Sequence, residues 1–296
     1  MEELMTSITR PTAPALDEIL GQKFPVLDHG FVRVVDYMGN DDAIVQAARV
    51  SYGGGTKTPQ EDANLIRYLM RHRHTSPLEM CIIKCHIKLP IFVARQWIRH
   101  RTASVNEVSG RYSVLPEEFY VPEKENILPQ SEANKQGREE NAKTAPLSPE
   151  AQELIDRCCV DAFDTYTTLL QFGVARELAR VVLPVSTYTE WYWKIDLHNL
   201  FHFLKLRMDS HAQWEIRQYA EEIFKLVKLW VPVAAQAWLD YQYNSVTLSA
   251  AQVRLVATKL AGETIKPSFF ELSSRELKEL EEVFGKMRGD DDTTKI

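Results

Sequence analysis

Apolar positions recur at two spacings along this chain, every second residue and every third or fourth, and the two predict different elements. Phe31 to Met38 alternates and predicts a strand, ended by Gly39-Asn40. Asp41-Asp42 then cap an apolar helix through Ala43, Ile44, Ala47 and Val50. Leu65, Ile66, Leu69 and Met70 carry the spacing of a second helix, which must end near Ser76-Pro77. Ile83, Cys85, Ile87 and Leu89 alternate against Lys84, His86 and Lys88, a strand with one wet or liganded face. Pro90 follows where proline is welcome, at the first turn of a new helix. On that helix Gln96 and Arg99 lie three apart and share its C-terminal face.

From Ala151 the spacing is helical through Leu154, Ala162, Tyr166, Leu169 and Leu170, and Gly173 punctuates it before Val174 to Val182. Residues 185–195 return to alternation, with Val185, Thr187, Thr189, Trp191, Trp193 and Ile195 on one side and Tyr188 and Tyr192 on the other. Both sets are aromatic or β-branched, which predicts a strand covered on both faces. Helices are expected over 197–208 and 211–240, and two more between Leu248 and Met287, the second opened by Ser273-Ser274 with Glu276. Residues 1–23 mix Thr, Pro and acidic residues and read as a loose extension, and 123–150 as an inserted flexible loop poor in large apolar residues. Neither a repeat nor a linker separating two cores is visible. The expected fold class is α/β of the α+β type, one helix-rich domain.

Composition narrows the function. The 296 residues are 45% hydrophobic and 10% aromatic, enough for a sizeable core in a soluble globular protein. A net charge of −6 argues against general nucleic-acid binding, which shows a basic balance. Cys81, Cys85, Cys158 and Cys159 have neither zinc-ribbon spacing nor a plausible disulfide framework and read as reduced thiols of a cytoplasmic protein. The N-terminus has no apolar signal region and no run reaches the length of a membrane span.

One stretch obeys neither spacing. Residues 99–112, Arg-His-Arg-Thr-Ala-Ser-Val-Asn-Glu-Val-Ser-Gly-Arg-Tyr, carry three arginines, a histidine, two serines, an asparagine and a glutamate. A single arginine here would most simply be part of a solvated basic face. As a set, Ser109-Gly110-Arg111 offers a hydroxyl, a close-approach backbone and a guanidinium suited to a phosphate. Asn106 and Glu107 add groups that read a ring or a ribose hydroxyl. Tyr52 to Thr58 superficially suggests a phosphate loop, but Thr56 stands where glycine must precede the lysine and no apolar strand leads in. His198 and His202, four apart on a helix, have the spacing of metal ligands, yet no glutamate motif and no third ligand accompany them, so metal is not expected. Asp209-Ser210-His211 resembles a triad fragment, but consecutive residues cannot converge, and Asp209 or Ser210 is better placed to cap the next helix. Trp191, Tyr192, Trp193 and Tyr188 are read as core rather than as a stacking platform.

Arg99-His100-Arg101, seven residues, then Ser109, with Ser104, Asn106, Arg111 and Tyr112 between and after, resembles the signature of the flavin-dependent thymidylate synthases, the ThyX family. The similarity runs from about Asp28 to Tyr243 and includes His74 to Glu79, Ala94 to Trp97, Arg180 to Pro184 and Leu206 to Ile216. The resemblance implies a mostly antiparallel small sheet among helices, with a core over 24–245 between the N-terminal extension (1–23) and a C-terminal helical extension (246–296). It implies dUMP contacts at Gln96, Trp97, Ile98 and Arg99, at Glu107, Val108, Ser109, Gly110 and Arg111, and at Arg180 and Arg207. FAD would meet Arg99, His100, Arg101, Asn106 and Glu107, with His74 and Ser76 from a neighbouring subunit. Asp196, His198 and His202 stand at further FAD positions, where the family often has an asparagine and an arginine at the first two. Asp196 is therefore expected to face a ribose hydroxyl or the adenine rather than a phosphate.

The implied reaction is reductive methylation of dUMP to dTMP, with methylenetetrahydrofolate as carbon donor, NADPH as reductant and FAD as cofactor, in a homotetramer with shared sites. No cysteine lies in a nucleophile's context, so ring activation must be electrostatic, with Arg207 as the candidate guanidinium. His198 and Arg207, nine apart, fall on opposite sides of one helix. Two other classes stay open on the residues alone. An RNA- or DNA-binding module would use the Arg/His runs at 71–74 and 99–101 and be colourless. A metal-dependent nucleotide hydrolase would use His198 and His202 and lose activity to chelators.

Overall fold

A computed structural model describes residues 10–50, 58–132, 135–139, 149–262 and 271–288. Five strands form one antiparallel sheet: β1 (Phe24–Val26), β2 (Gly30–Met38), β3 (Ile82–Pro90), β4 (Ser104–Glu107) and β5 (Tyr188–Asp196), in the order β1-β2-β3-β5-β4. The helices are α1 (Pro14–Asp17), α2 (Asp41–Arg49), α3 (Pro59–Arg71), α4 (Ser76–Glu79), α5 (Ile91–Trp97), α6 (Pro149–Gln171), α7 (Arg176–Ala179), α8 (Leu197–Arg207), α9 (Trp214–Trp230), α10 (Pro232–Trp238), α11 (Ala250–Leu260) and α12 (Ser274–Arg288). The chain divides into two compact units, Met1–Trp238 and Leu239–Ile296. In the second, Leu255 and Leu280 form a small apolar cluster with Leu248, Leu272 and Phe284. Among the described residues, no helix is long and apolar enough to cross a membrane.

β3 is the centre of the sheet, paired in register with β2 on one side and β5 on the other. The alternation that predicts it is reproduced: Ile83, Cys85, Ile87 and Leu89 are buried. Trp97 of α5 packs edge-on against Trp191 and Trp193 of β5 and tilted on Phe203 of α8, so three elements share one aromatic core. Tyr219 of α9 closes it by donating its hydroxyl to the Lys88 carbonyl at 2.8 Å. That approach requires Gly30 on β2, where an added Cβ would lie 2.0 Å from the Tyr219 hydroxyl.

Several expectations are corrected. The strand at 185–195 begins at Tyr188, which is buried as expected, but beyond it only one face is covered: Trp191, Trp193 and Ile195 are buried, while Tyr192 is 43% exposed. Tyr192 is thus not core; it stacks on His86 of the neighbouring strand with ring centroids 4.9 Å apart. Asn40, not Asp41 or Asp42, caps α2, accepting the Ala43 N–H at 3.0 Å. Asp41 instead accepts the Val233 and Ala234 N–H groups, 2.9 Å each, at the start of α10. The single helix expected over 211–240 breaks at Val231, because Pro232 lacks the N–H to continue α9 and suits a first turn. Val174 to Val182 holds only α7 and a 3₁₀ turn over Arg180–Val182.

The described part of the N-terminal extension is packed: Leu16 of α1 is fully buried, and Tyr37 donates its hydroxyl to Asp17 at 2.6 Å. The described part of the 123–150 insert also has structure, with a 3₁₀ turn at Lys124–Asn126 and a bridge between Gln130 and Arg138. The glycine-rich segment 51–57 lies outside the described residues.

Candidate active site

β3 runs directly into α5 at Pro90, which is not in the first helical turn as expected but ends the strand and stands as the helix N-cap in extended conformation, φ −65° and ψ 146°. Val93, Ala94 and Trp97 bury one face of α5 and fix its end, so the chain emerges at Ile98 as an exposed turn carrying Arg99, His100 and Arg101. Trp97 itself is a core side chain, which leaves only its backbone facing any ligand. The patternless stretch then joins the sheet, since Ser104–Glu107 forms the edge strand β4 against β5.

Arg207 reaches this turn from the end of α8. Its Nε donates to His100 Nε2 at 2.9 Å, and a terminal nitrogen donates to the Gln96 carbonyl at 3.4 Å. His100 must accept at Nε2, so its ring is neutral with the proton on Nδ1. Burial, with the Arg207 charge and His202 adding to it, pushes the His100 pKa down from 6.5 to about 4. Burial also lowers the pKa of Arg207. The two line a cleft of about 350 Å³ with Arg99, Arg101, Asn199 and His202. Among the described residues, no ion pair or hydrogen bond engages the Arg99 or Arg101 guanidinium. His202 stands edge-on to His100 at 5.9 Å. His198 does not line this cleft. Asp196 is the N-cap of α8: its carboxylate accepts the Asn199 backbone N–H at 2.9 Å and side-chain amide at 2.8 Å.

The second half of the stretch lies elsewhere. Asn106, Glu107 and Val108 line a separate cleft of about 360 Å³ on the sheet, with His86, Glu118 and Tyr192. Glu107 accepts the hydroxyl of buried Thr189 at 2.6 Å. His86 sits between Arg33 and Glu190, 2.8 Å from each, so Arg33 donates to Nδ1 and Nε2–H donates to the carboxylate. Ser109 Oγ accepts the Arg111 N–H at 3.3 Å, and Ser109 O accepts the N–H groups of Tyr112 and Ser113, so the segment is a tight turn. Gly110 is buried against Leu115 and Arg180, whose Cδ would be 3.3 Å from an added Cβ. Arg111 pairs with Glu177 at 3.2 Å, both more than half exposed. Gly110, Arg111 and Arg180 are therefore brought together, on a more exposed surface than the one that holds Arg207.

His74 and Ser76 line a third cavity, of about 1190 Å³, between α2, α3 and α4. His74 stacks on Tyr68 with centroids 5.9 Å apart. Within one chain these two residues line a different cavity from Arg99 and His100.

Residues not singled out from sequence also enter the site. Asn199 and Leu206 share one face of α8 with the nominated His202, at spacings of three and four, and that periodicity is the signal that finds them. Gln213, whose side-chain carbonyl accepts from the Gln96 amide, carries no local signal. Among the described residues, no group of three or more His, Cys, Asp or Glu is arranged to hold a metal. Asp209 bonds the backbone and ring of His211, 2.8 Å each, and α9 starts too far on, at Trp214, for Asp209 or Ser210 to cap it.

Comparison with known proteins adds an independent line. The family described as thymidylate synthase complementing protein matches residues 33–233. A flavin-dependent thymidylate synthase of Gluconobacter oxydans is 55% identical over 93% of this chain and 91% of its own length. One of Ruegeria pomeroyi is 53% identical over 94% of this chain and 93% of its own. Among solved structures, a UMP/dUMP methylase, PolB, of Streptomyces cacaoi bound with 5-Br dUMP is 34% identical, with a TM-score of 0.66. The match covers 74% of this chain and 99% of that one.

Proposed function

The chain belongs to the flavin-dependent thymidylate synthase family, and from that membership we propose a division of roles among its residues. The protein is a methyltransferase that converts dUMP to dTMP and depends on a flavin. We assign the flavin as FAD, methylenetetrahydrofolate as the carbon donor and NADPH as the reductant. The observation that carries the assignment is the half-buried Arg207 held between His100 and Gln96 beside two guanidinium groups with no protein partner among the described residues.

Those residues fit a flavin nucleotide in part. Arg99 and Arg101 present positive charge for a diphosphate, and Asn199, His202 and neutral His100 offer polar and ring contacts. A cleft of about 350 Å³ is at the small end for ligand sites and suits one end of a dinucleotide. His74 and Ser76, from their separate cavity, fit a contribution by a neighbouring subunit, which is why we propose four subunits with shared sites. Asp196 is engaged as the α8 cap, so its side is the helix start rather than the cofactor phosphate. Held by these residues, the flavin would supply hydride chemistry for the new methyl group.

The chain's own chemistry is the activation of the uracil ring. Two of Arg207's five N–H groups are taken by His100 and Gln96, which fixes the direction of the others. A guanidinium on the pyrimidine oxygen stabilises the ring anion without a covalent bond, by the logic of an oxyanion hole. Neither thiol of β3 or its approach competes for the role: burial pushes Cys81 and Cys85 up to about 12, so neither is a thiolate at neutral pH. Ser109, Gly110, Arg111 and Arg180 hold the nucleotide phosphate, and Glu107, held by Thr189, faces the ribose. We place the enzyme in the cytoplasm.

The test is product formation. Purified protein is expected to be yellow, bleached by NADPH, and to yield dTMP from dUMP and methylenetetrahydrofolate. A colourless protein that makes no dTMP when supplied with FAD sinks the reading.

A further inference from the structure

We propose that Gln213 and Arg138 are positioning residues through which the inserted segment holds Gln96 in place beside the nucleotide. The inference rests on the reading of Gln96 and Arg207 given above. The insert folds back on itself: Ser131 N–H donates to the Gly137 carbonyl at 3.0 Å and Glu139 N–H to the Pro129 carbonyl at 2.8 Å. Arg138 then projects from this turn onto the start of α9. One terminal nitrogen donates to the Asn126 carbonyl at 2.6 Å, and the other lies 3.3 Å from the Glu215 carboxylate. Its guanidinium also covers the Trp214 ring, 5.1 Å from the centroid.

Glu215 is only 4% exposed and accepts the Tyr120 hydroxyl at 3.3 Å. A carboxylate this buried is costly without a cation, so Arg138 and the first turn of α9 are bound to move together. The residue immediately before that turn is Gln213, whose side chain accepts from Gln96. Gln96, whose side chain is held by Gln213, in turn accepts Arg207 at its backbone carbonyl, 3.4 Å away. The connection runs insert, Arg138, Trp214–Glu215, Gln213, Gln96, Arg207, by the contacts given and, between Gln213 and Trp214, by the chain itself. A cavity of about 500 Å³, walled by Gln130 and Arg138 of the insert and by His211, Gln213 and Trp214, lies along it. The first turn of α9 has no side-chain cap; its own helix holds Gln213 through the carbonyl, which accepts the Arg217 N–H at 3.1 Å, and the side chain is left to Gln96.

Steady-state kinetics on the flavin-loaded enzyme test this. Gln213→Ala should raise KM for dUMP about fivefold and leave kcat within about twofold, the size expected for one hydrogen bond in binding. Gln213→Glu keeps the acceptor and should keep KM near the wild-type value. Arg138→Met paired with Glu215→Gln removes the ion pair without leaving a buried charge and should reproduce the Gln213→Ala rise. Adding Gln213→Ala to that pair should raise KM little further. An unchanged KM in Gln213→Ala, equal defects in the Ala and Glu variants, or effects that multiply would each overturn the proposal. Wild-type enzyme that neither binds dUMP by calorimetry nor forms dTMP would overturn the functional reading first, and the proposal with it.

Discussion

The two ends of residues 99–112 are built differently. At the Arg-His-Arg end, a core helix and a second helix converge, and Arg207 and His100 meet at 2.9 Å in a half-buried cleft. At the Ser-Gly-Arg end, a tight surface turn presents Arg111, whose ion pair with Glu177 is exposed on both sides. The first end has its dipoles fixed before any ligand arrives, which is what stabilising a developing charge demands. The second can adjust, which suffices for gripping a phosphate. This contrast is the ground for our proposal that chemistry belongs to the first end and binding to the second.

Substitutions can break that division, and the largest effect falls at the buried end. Arg207→Ala should lower kcat by about a thousandfold or more, as loss of a preorganised charge-stabilising group does, with flavin absorption retained. Near-normal dTMP formation in that variant would remove Arg207 from the chemistry. At the open end, Arg180→Ala should raise KM for dUMP about tenfold while kcat holds, because a charge-assisted phosphate contact acts in binding. A collapse of kcat there would erase the contrast between the ends.

Smaller effects sharpen it. His100 should titrate in an NMR pH series with a midpoint near 4 rather than the ordinary 6.5. Its folded pKa is depressed, so the neutral ring contributes stability that is fully present above pH 6.5 and lost as pH falls through about 4. Removing the Arg207 charge in Arg207→Ala should move the midpoint up; an unmoved midpoint would mean that the two groups are not coupled. The smallest effect belongs to Glu177→Ala, which breaks only an exposed ion pair and should shift the thermal midpoint by less than about 2 °C.

Legibility in the sequence follows the same contrast between local and distant causes. Ile83, Cys85, Ile87 and Leu89 can be read as a strand because each is buried by its own alternation, a period-two property of the backbone. Ser109-Gly110-Arg111 is readable as one group because its members are neighbours, and the structure gathers them in a tight turn. Pro232 signals the helix break at Val231, but continuous apolar spacing on both sides masks it. Asp41 reads as a helix cap from its neighbours alone, whereas its carboxylate serves α10, 192 positions on. That burial pushes its pKa up to about 6.

The site's central contact is the least readable. His100 and Arg207 are 107 positions apart and meet because α5, through Trp97, and α8, through Phe203, both pack on Trp193. Periodicity places each residue on a helix face but not the faces against each other; here the family resemblance, rather than residue spacing, nominates Arg207. The insert shows the converse. Its polar composition reads as flexible loop, yet one arginine and a buried glutamate anchor the described part.

The division of roles is tested most directly by the rate of dTMP formation in Ser109→Ala at saturating dUMP. If the ring is activated by Arg207 and Ser109 only helps to hold the nucleotide, that rate stays within about threefold of wild type while KM rises, the loss of a hydrogen bond confined to binding. Complete loss of turnover at saturating dUMP would contradict the account and make Ser109 the nucleophile.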